Sequence, residues 1–134
     1  MSEFIEPVVT DTNRGFWEGT AAGELRVQRC LACEHAGHQS ADGYRRCSHA
    51  NWEWQPLSGR GTVMSRLIFH QSYHPAWKER LPYNVVLVQL EEGPRMISNV
   101  APLSEQGFAV GDALEVVFEP EGDIVIPRFR LAAA

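Results

Sequence analysis

Three cysteines and one alanine set the terms for the first half of this chain. Cys30 and Cys33 stand three apart, Cys47 follows a spacer rich in histidine, and the position three residues beyond Cys47 is Ala50. Two Cys-x-x-Cys knuckles on facing turns let a small hairpin hold structural zinc, because zinc wants four soft or borderline ligands in a tetrahedral array. Here the second knuckle lacks its last ligand. Two readings are open. In one, Cys30, Cys33 and Cys47 are joined by His49 or His38, since neutral imidazole replaces a thiolate readily. In the other, the hairpin keeps its shape without metal, held by Leu31, Tyr44, Trp52 and Trp54 around thiols that behave as small hydrophobes. An odd cysteine count argues against a disulfide framework.

The chain has 134 residues, 44% hydrophobic and 22% charged, which suits one domain with a real core, or one small domain plus an appendage. Eleven glycines and eight prolines favour short elements joined by many turns, hence a mainly β fold. The net charge of -5 supplies no general attraction to nucleic acid or anionic lipid. No run approaches the roughly 18 apolar residues of a membrane span, and the start lacks the basic and apolar regions of a secretory leader, so a cytoplasmic location is expected.

Residues 1–10 read as an arm. From Thr12 or Asn13, either a good N-cap, a helix is predicted through Ala22 to Gly23, with Phe16, Trp17, Thr20 and Ala21 on one face. Gly15 and Gly19 each cost on the order of 1 kcal/mol inside it, so it should form only by docking its aromatic pair. Residues 24–29 read as a strand with Leu25 and Val27 on one side. After a turn at Ser58-Gly59-Arg60-Gly61, residues 61–70 alternate, placing Val63, Leu67 and Phe69 on one face and Met64, Arg66 and Ile68 on the other. A long loop over 71–82 carries Tyr73, His74, Pro75 and Trp77. Residues 83–90 are apolar enough for a central strand covered on both sides. A turn at 91–94 leads to a strand over 95–100, then a short helix or helical turn at 102–106. Strands at 113–119, with Leu114, Val116 and Phe118 inward, and at 124–131 complete the set.

Five strands with a bridging turn between the third and fourth match the order of an OB-fold, a small partly open barrel; a split β-sandwich is the alternative. The expected divisions are 1–23 for arm and helix, 24–57 for a zinc-ribbon-like part, with or without metal, and 58–134 for a five-stranded OB-fold barrel.

Taken together the pieces resemble a family of two-part proteins, a rubredoxin-like zinc ribbon followed by an OB-fold, catalogued as domain of unknown function 35 (DUF35). The resemblance runs through Phe16-Trp17-Glu18-Gly19, the stretch from Leu25 to Cys33, Ser58-Gly59-Arg60-Gly61-Thr62-Val63, Pro82-Tyr83-Asn84-Val85-Val86-Leu87-Val88, Glu92-Gly93-Pro94-Arg95 and Pro127-Arg128-Phe129. It implies an accessory subunit without activity of its own, partnered with a thiolase-fold enzyme: a thiolase, an acyl-condensing synthase, or a lipid-transfer-protein-like aldolase acting on steroid side chains. Some members accompany hot-dog-fold hydratases. It also implies that the barrel helps bind an acyl-coenzyme A thioester while the ribbon and helix hold the partner. Ala50 departs from the pattern.

The residues themselves offer no self-sufficient catalytic set: no nucleophile elbow, phosphate loop or dinucleotide fingerprint is present. His70 and His74 lie in a strand-to-loop region that does not put them on one face. The basic residues carry more information, because all but Lys78 are arginines, whose guanidinium forks suit phosphate. Arg60, Arg66, Arg95, Arg128 and Arg130 fall on or beside predicted strands, and each alone also reads as a solvated strand-edge charge. Phe69, Tyr73, Trp77 and Tyr83 are expected to wall a groove for a pantetheine arm, with Arg60, Arg66, Arg128 and Phe129 completing the ligand site. Stacking aromatics would equally serve a nucleic-acid-binding module, against which the net acidity weighs.

Overall fold

In the computed structural model, residues 8–11, 13–31, 36–37, 52–71 and 74–132 are described. One helix, α1 (Arg14–Ala21), precedes two antiparallel sheets. The first joins β1 (Leu25–Cys30), β2 (Ala36–Gly37) and β3 (Trp52–Leu57) in the order β2-β1-β3. The second joins β4 (Arg60–Phe69), β5 (Tyr83–Leu90), β6 (Arg95–Ser98), β7 (Ala113–Glu121) and β8 (Ile124–Leu131) in the order β6-β5-β4-β7-β8.

The second sheet curls until its two edges meet. Just beyond β6, Val100 forms a parallel bridge with Phe129 of β8. The Phe129 N–H donates to the Asn99 carbonyl at 2.9 Å and the Ala101 N–H donates to the Phe129 carbonyl at 2.7 Å. This closure, together with the strand order, is that of an OB-fold barrel, as expected. Val63, Val86, Val88, Leu90, Met96, Val100, Phe108, Leu114 and Phe129 fill its interior.

Alternation explains most of these positions, and a bulge explains the exceptions. In β4, Val63 pairs with Val88, but the register then slips at Met64, so that Ser65 pairs with Leu87, Leu67 with Val85 and Phe69 with Tyr83. One extra residue in a strand exchanges inside for outside along everything that follows. Leu67 and Phe69 therefore do not share the face of Val63, contrary to the alternation read from the sequence, and Leu67 is 59% exposed. In β5 the even positions from Asn84 to Leu90 are buried while Val85, Leu87 and Gln89 are half-buried, so one face of this strand is core and the other is only partly covered.

α1 lies against β1, β3 and β8 and thus against both sheets. Phe16 enters the core, and Trp17 meets it edge-on with ring centroids 4.9 Å apart. Gly19 and Thr20 complete the buried face, whereas Ala21 is exposed. The two glycines that weaken the helix are explained by this docking. A Cβ on Gly15 would lie 2.3 Å from the Trp54 indole, and one on Gly19 would lie 2.8 Å from both the Arg26 side chain and the Glu24 carbonyl.

Residues 102–106 make a turn without a helix, with the Glu105 N–H donating to the Pro102 carbonyl at 2.9 Å. The long loop before β5 instead contains a 3-10 helix, Pro75–Arg80, capped by His74, whose Nδ1 accepts from the Ala76 N–H at 3.1 Å. Among the described residues no helix is long and apolar enough to cross a membrane.

Candidate ligand and partner surface

The pairing of Phe69 with Tyr83 places two rings side by side where β4 ends and β5 begins, with centroids 5.2 Å apart. The 3-10 turn brings Trp77 to the same place, 4.9 Å from Tyr83. Three of the four aromatics expected to wall a groove are thus gathered into one corner; the fourth, Tyr73, lies outside the described residues. A 3-10 turn has three residues per turn, so positions three apart eclipse. Arg80 accordingly sits over Trp77, its Cζ 4.7 Å from the ring centroid.

Behind this corner stands a charge network. Arg80 Nη1 is 3.0 Å from Glu121 Oε1, and the same oxygen accepts from Arg128 Nη1 at 2.7 Å. Arg128 Nη1 also reaches Glu119 at 2.8 Å. Burial alone would raise the Glu121 carboxyl, but the hydrogen bonds and charges of Arg128 and Arg80 outweigh it and hold the group below its ordinary value.

This geometry revises two expected ligand contacts. Arg128 is only 3% exposed and is neutralised by two carboxylates, so it braces the end of the barrel and presents no fork to solvent. Phe129 is wholly buried in the core. Pro127, Arg128 and Phe129 are buried in succession because β8 is covered on both faces, one of them by α1. Arg60 stands at the far end of β4 from the aromatic corner, where its Nε binds Glu91 at 2.8 Å; that bond raises the Arg60 guanidinium and lowers the Glu91 carboxyl. A cleft of about 430 Å³ at that end is lined by Arg60, Thr62, Gln89 and Glu91. Arg130 is paired with Glu115, and Arg95 Nε donates to Gln89 at 3.2 Å.

Arg66 differs from these. It is exposed, lies over the Phe108 ring at 5.3 Å and donates to the Gln106 carbonyl at 3.2 Å, and the described ion pairs do not include it. Beside it runs a shallow groove of about 100 Å³ lined by Ser65, Leu67, Val85, Leu87 and Ile97. Leu67 and Ile97 are 59% and 65% exposed. Ladder partners share a face, so Phe69 with Tyr83, Leu67 with Val85, and Ser65 with Leu87 and Ile97 form one outward stripe that begins at the aromatic corner.

A residue missed by sequence reading holds the neighbouring loop. Asn84 is fully buried, and its Nδ2 donates to the carbonyls of Val100, Leu103 and Glu105 at 2.8 to 3.0 Å. A lone asparagine within an apolar strand was the available signal, since a buried amide needs partners.

Residues 54–119 match the family described as the C-terminal OB-fold domain of ChsH2. Over that span the barrel is similar to an OB-fold domain of the ChsH2 type. The match begins within β3, earlier than the boundary expected at residue 58. The chain is 28% identical over 127 residues to a probable enoyl-CoA hydratase alpha subunit of Thermomonospora curvata, covering 94% of this chain and 39% of that protein. It is 27% identical over 112 residues to a DUF35 domain-containing scaffold protein of Methanothermobacter thermautotrophicus, covering 83% and 84% of the two chains. Among solved structures it is similar to a chain of the Ltp2-ChsH2(DUF35) aldolase, with a TM-score of 0.82, 28% identity, and coverage of 96% and 100%. These likenesses bear out the resemblance to DUF35 proteins for the ChsH2-type barrel. Cys33, Cys47 and His49 lie outside the described residues, as does the side chain of Cys30.

Proposed function

We propose that this chain is an accessory subunit that docks on a larger thiolase-fold enzyme and helps hold its acyl-coenzyme A substrate. The observation that carries the reading is the likeness over nearly the whole chain to the DUF35 subunit of an aldolase complex. The absence of a catalytic constellation in the sequence is consistent with it. Docking falls to the outward stripe around Leu67 and Ile97, because the apolar face of α1 is already used within the chain. The aromatic corner walls the thioester arm, and Arg66, an exposed guanidinium that the described ion pairs leave out, meets phosphate.

The likeness to a hydratase alpha subunit favours a second reading, in which the larger partner has a hot-dog fold. Tagged protein recovered from its native cell distinguishes them. A thiolase-fold protein retained in stoichiometric amount by the wild type, and lost with Leu67→Glu plus Ile97→Glu, supports the first reading. A hot-dog-fold hydratase in its place selects the second, and no stoichiometric partner overturns both.

A further inference from the structure

We infer that Glu121 is a positioning residue for the ligand site: it anchors Arg80, and Arg80 sets the Trp77 ring against Tyr83. This rests on the reading that the aromatic corner walls the thioester arm. Trp77 and Arg80 are three apart on a 3-10 helix that belongs to neither sheet. A turn of this kind, six residues long, has little rigidity of its own. Besides the packing of Trp77 on Tyr83, it is tied to the barrel by the bond from Arg80 to Glu121, at the end of β7, with the acceptor oxygen held in place from behind by buried Arg128. Both partners are largely sheltered, with side chains 25% and 14% exposed, so this pair is screened less than a surface one. The planar guanidinium then does two things at once: its edge meets the carboxylate and its face covers the indole. Glu121 therefore touches no ligand, yet it fixes the ring that would.

The test uses the full chain labelled with 5-fluorotryptophan, which gives one fluorine resonance for each of the four tryptophans; Trp77→Phe assigns the relevant one. Glu121→Gln, which keeps the shape and removes the charge, is expected to shift or broaden the Trp77 resonance and leave the other three in place. Arg80→Lys, which keeps the charge and loses the planar stack, is expected to do the same. Glu119→Gln removes a partner of Arg128 that has no bond to Arg80, and is expected to leave Trp77 unmoved. A role confined to stability would lower the melting temperature without moving that single resonance. In the co-purified complex, with coenzyme A as probe, Glu121→Gln and Trp77→Ala are each expected to lower affinity about tenfold. The double variant should lose no more than either alone. An unmoved Trp77 resonance in Glu121→Gln, or additive losses of affinity, overturns the inference. The resonance is read without ligand, so failure of the wild-type complex to bind coenzyme A would overturn the ligand reading while the spectrum still decides the positioning.

Discussion

Asn84 and Val100 hold each other twice: Asn84 Nδ2 donates to the Val100 carbonyl at 2.8 Å, and the Val100 N–H donates to Asn84 Oδ1 at 2.7 Å. The same amide group reaches Leu103 and Glu105, so one side chain replaces a strand for the segment that closes the barrel. Asn84→Ala leaves several buried backbone groups without partners, at about 1 to 3 kcal/mol each. The expected loss is about 3 kcal/mol or more, read as a lower denaturation midpoint at unchanged slope. Asn84→Asp should be no better, because it sets a carboxylate against carbonyl oxygens.

Gly15→Ala tests the docking of α1 by its sign. Alanine is favoured over glycine in a helix interior by about 1 kcal/mol. Here its methyl group would lie 2.3 Å from the Trp54 ring, and the expected outcome is a net loss of about 1 to 3 kcal/mol. Glu18→Ala, at an exposed position of the same helix, should be neutral or slightly stabilising. Thermal melts of the two variants give the comparison.

Arg128 and Arg66 should separate stability from affinity. Arg128→Ala leaves two carboxylates without their buried partner and is expected to destabilise by about 3 kcal/mol, the lower end for a broken buried pair because Glu119 is partly exposed. Arg66→Ala should leave the melt unchanged and weaken coenzyme A binding by the complex by about 1 to 3 kcal/mol.

Much of the barrel was legible because its strands are short and alternate, and its turns carry glycine. The faces of β4 were not, because a bulge at Met64 has no local signature in Thr-Val-Met-Ser-Arg and yet reverses Leu67 and Phe69. Arg128 looked like a strand-edge cation for a related reason. Only the tertiary placement of α1 and the two glutamates turns Pro-Arg-Phe into three consecutive buried residues. The rings of the aromatic corner are legible by residue type, while the 3-10 turn that brings Trp77 to Tyr83 has the composition of a plain loop.

Acid should weaken the fold through Glu121. Held below the ordinary glutamate value of 4.5 in the folded chain, this carboxylate stabilises above that pH, and its contribution is lost as the pH falls below it. The wild type is therefore expected to melt above Glu121→Gln at neutral pH, with the gap closing on acidification. Melting temperatures of both proteins across that range check the sign, and a gap that widens toward acid would refute it.

With Ala50 at the fourth ligand position, the purified chain is expected to carry well below one zinc per molecule and to keep its melting temperature in the presence of a chelator. Stoichiometric zinc that disappears with His49→Ala would establish a Cys3His site instead.

The seat of α1 against β1, β3 and β8 bears on how this protein comes apart. Phe16 is a core residue of a barrel that begins more than forty positions later in the chain, and Trp54 of the other sheet is fitted to Gly15. A fragment starting at residue 58 would carry a vacancy where that ring sits, and one ending at 57 would bare the helix that filled it. Heating should accordingly melt both sheets in a single calorimetric transition, and the shortest piece able to refold alone should reach back to Asn13.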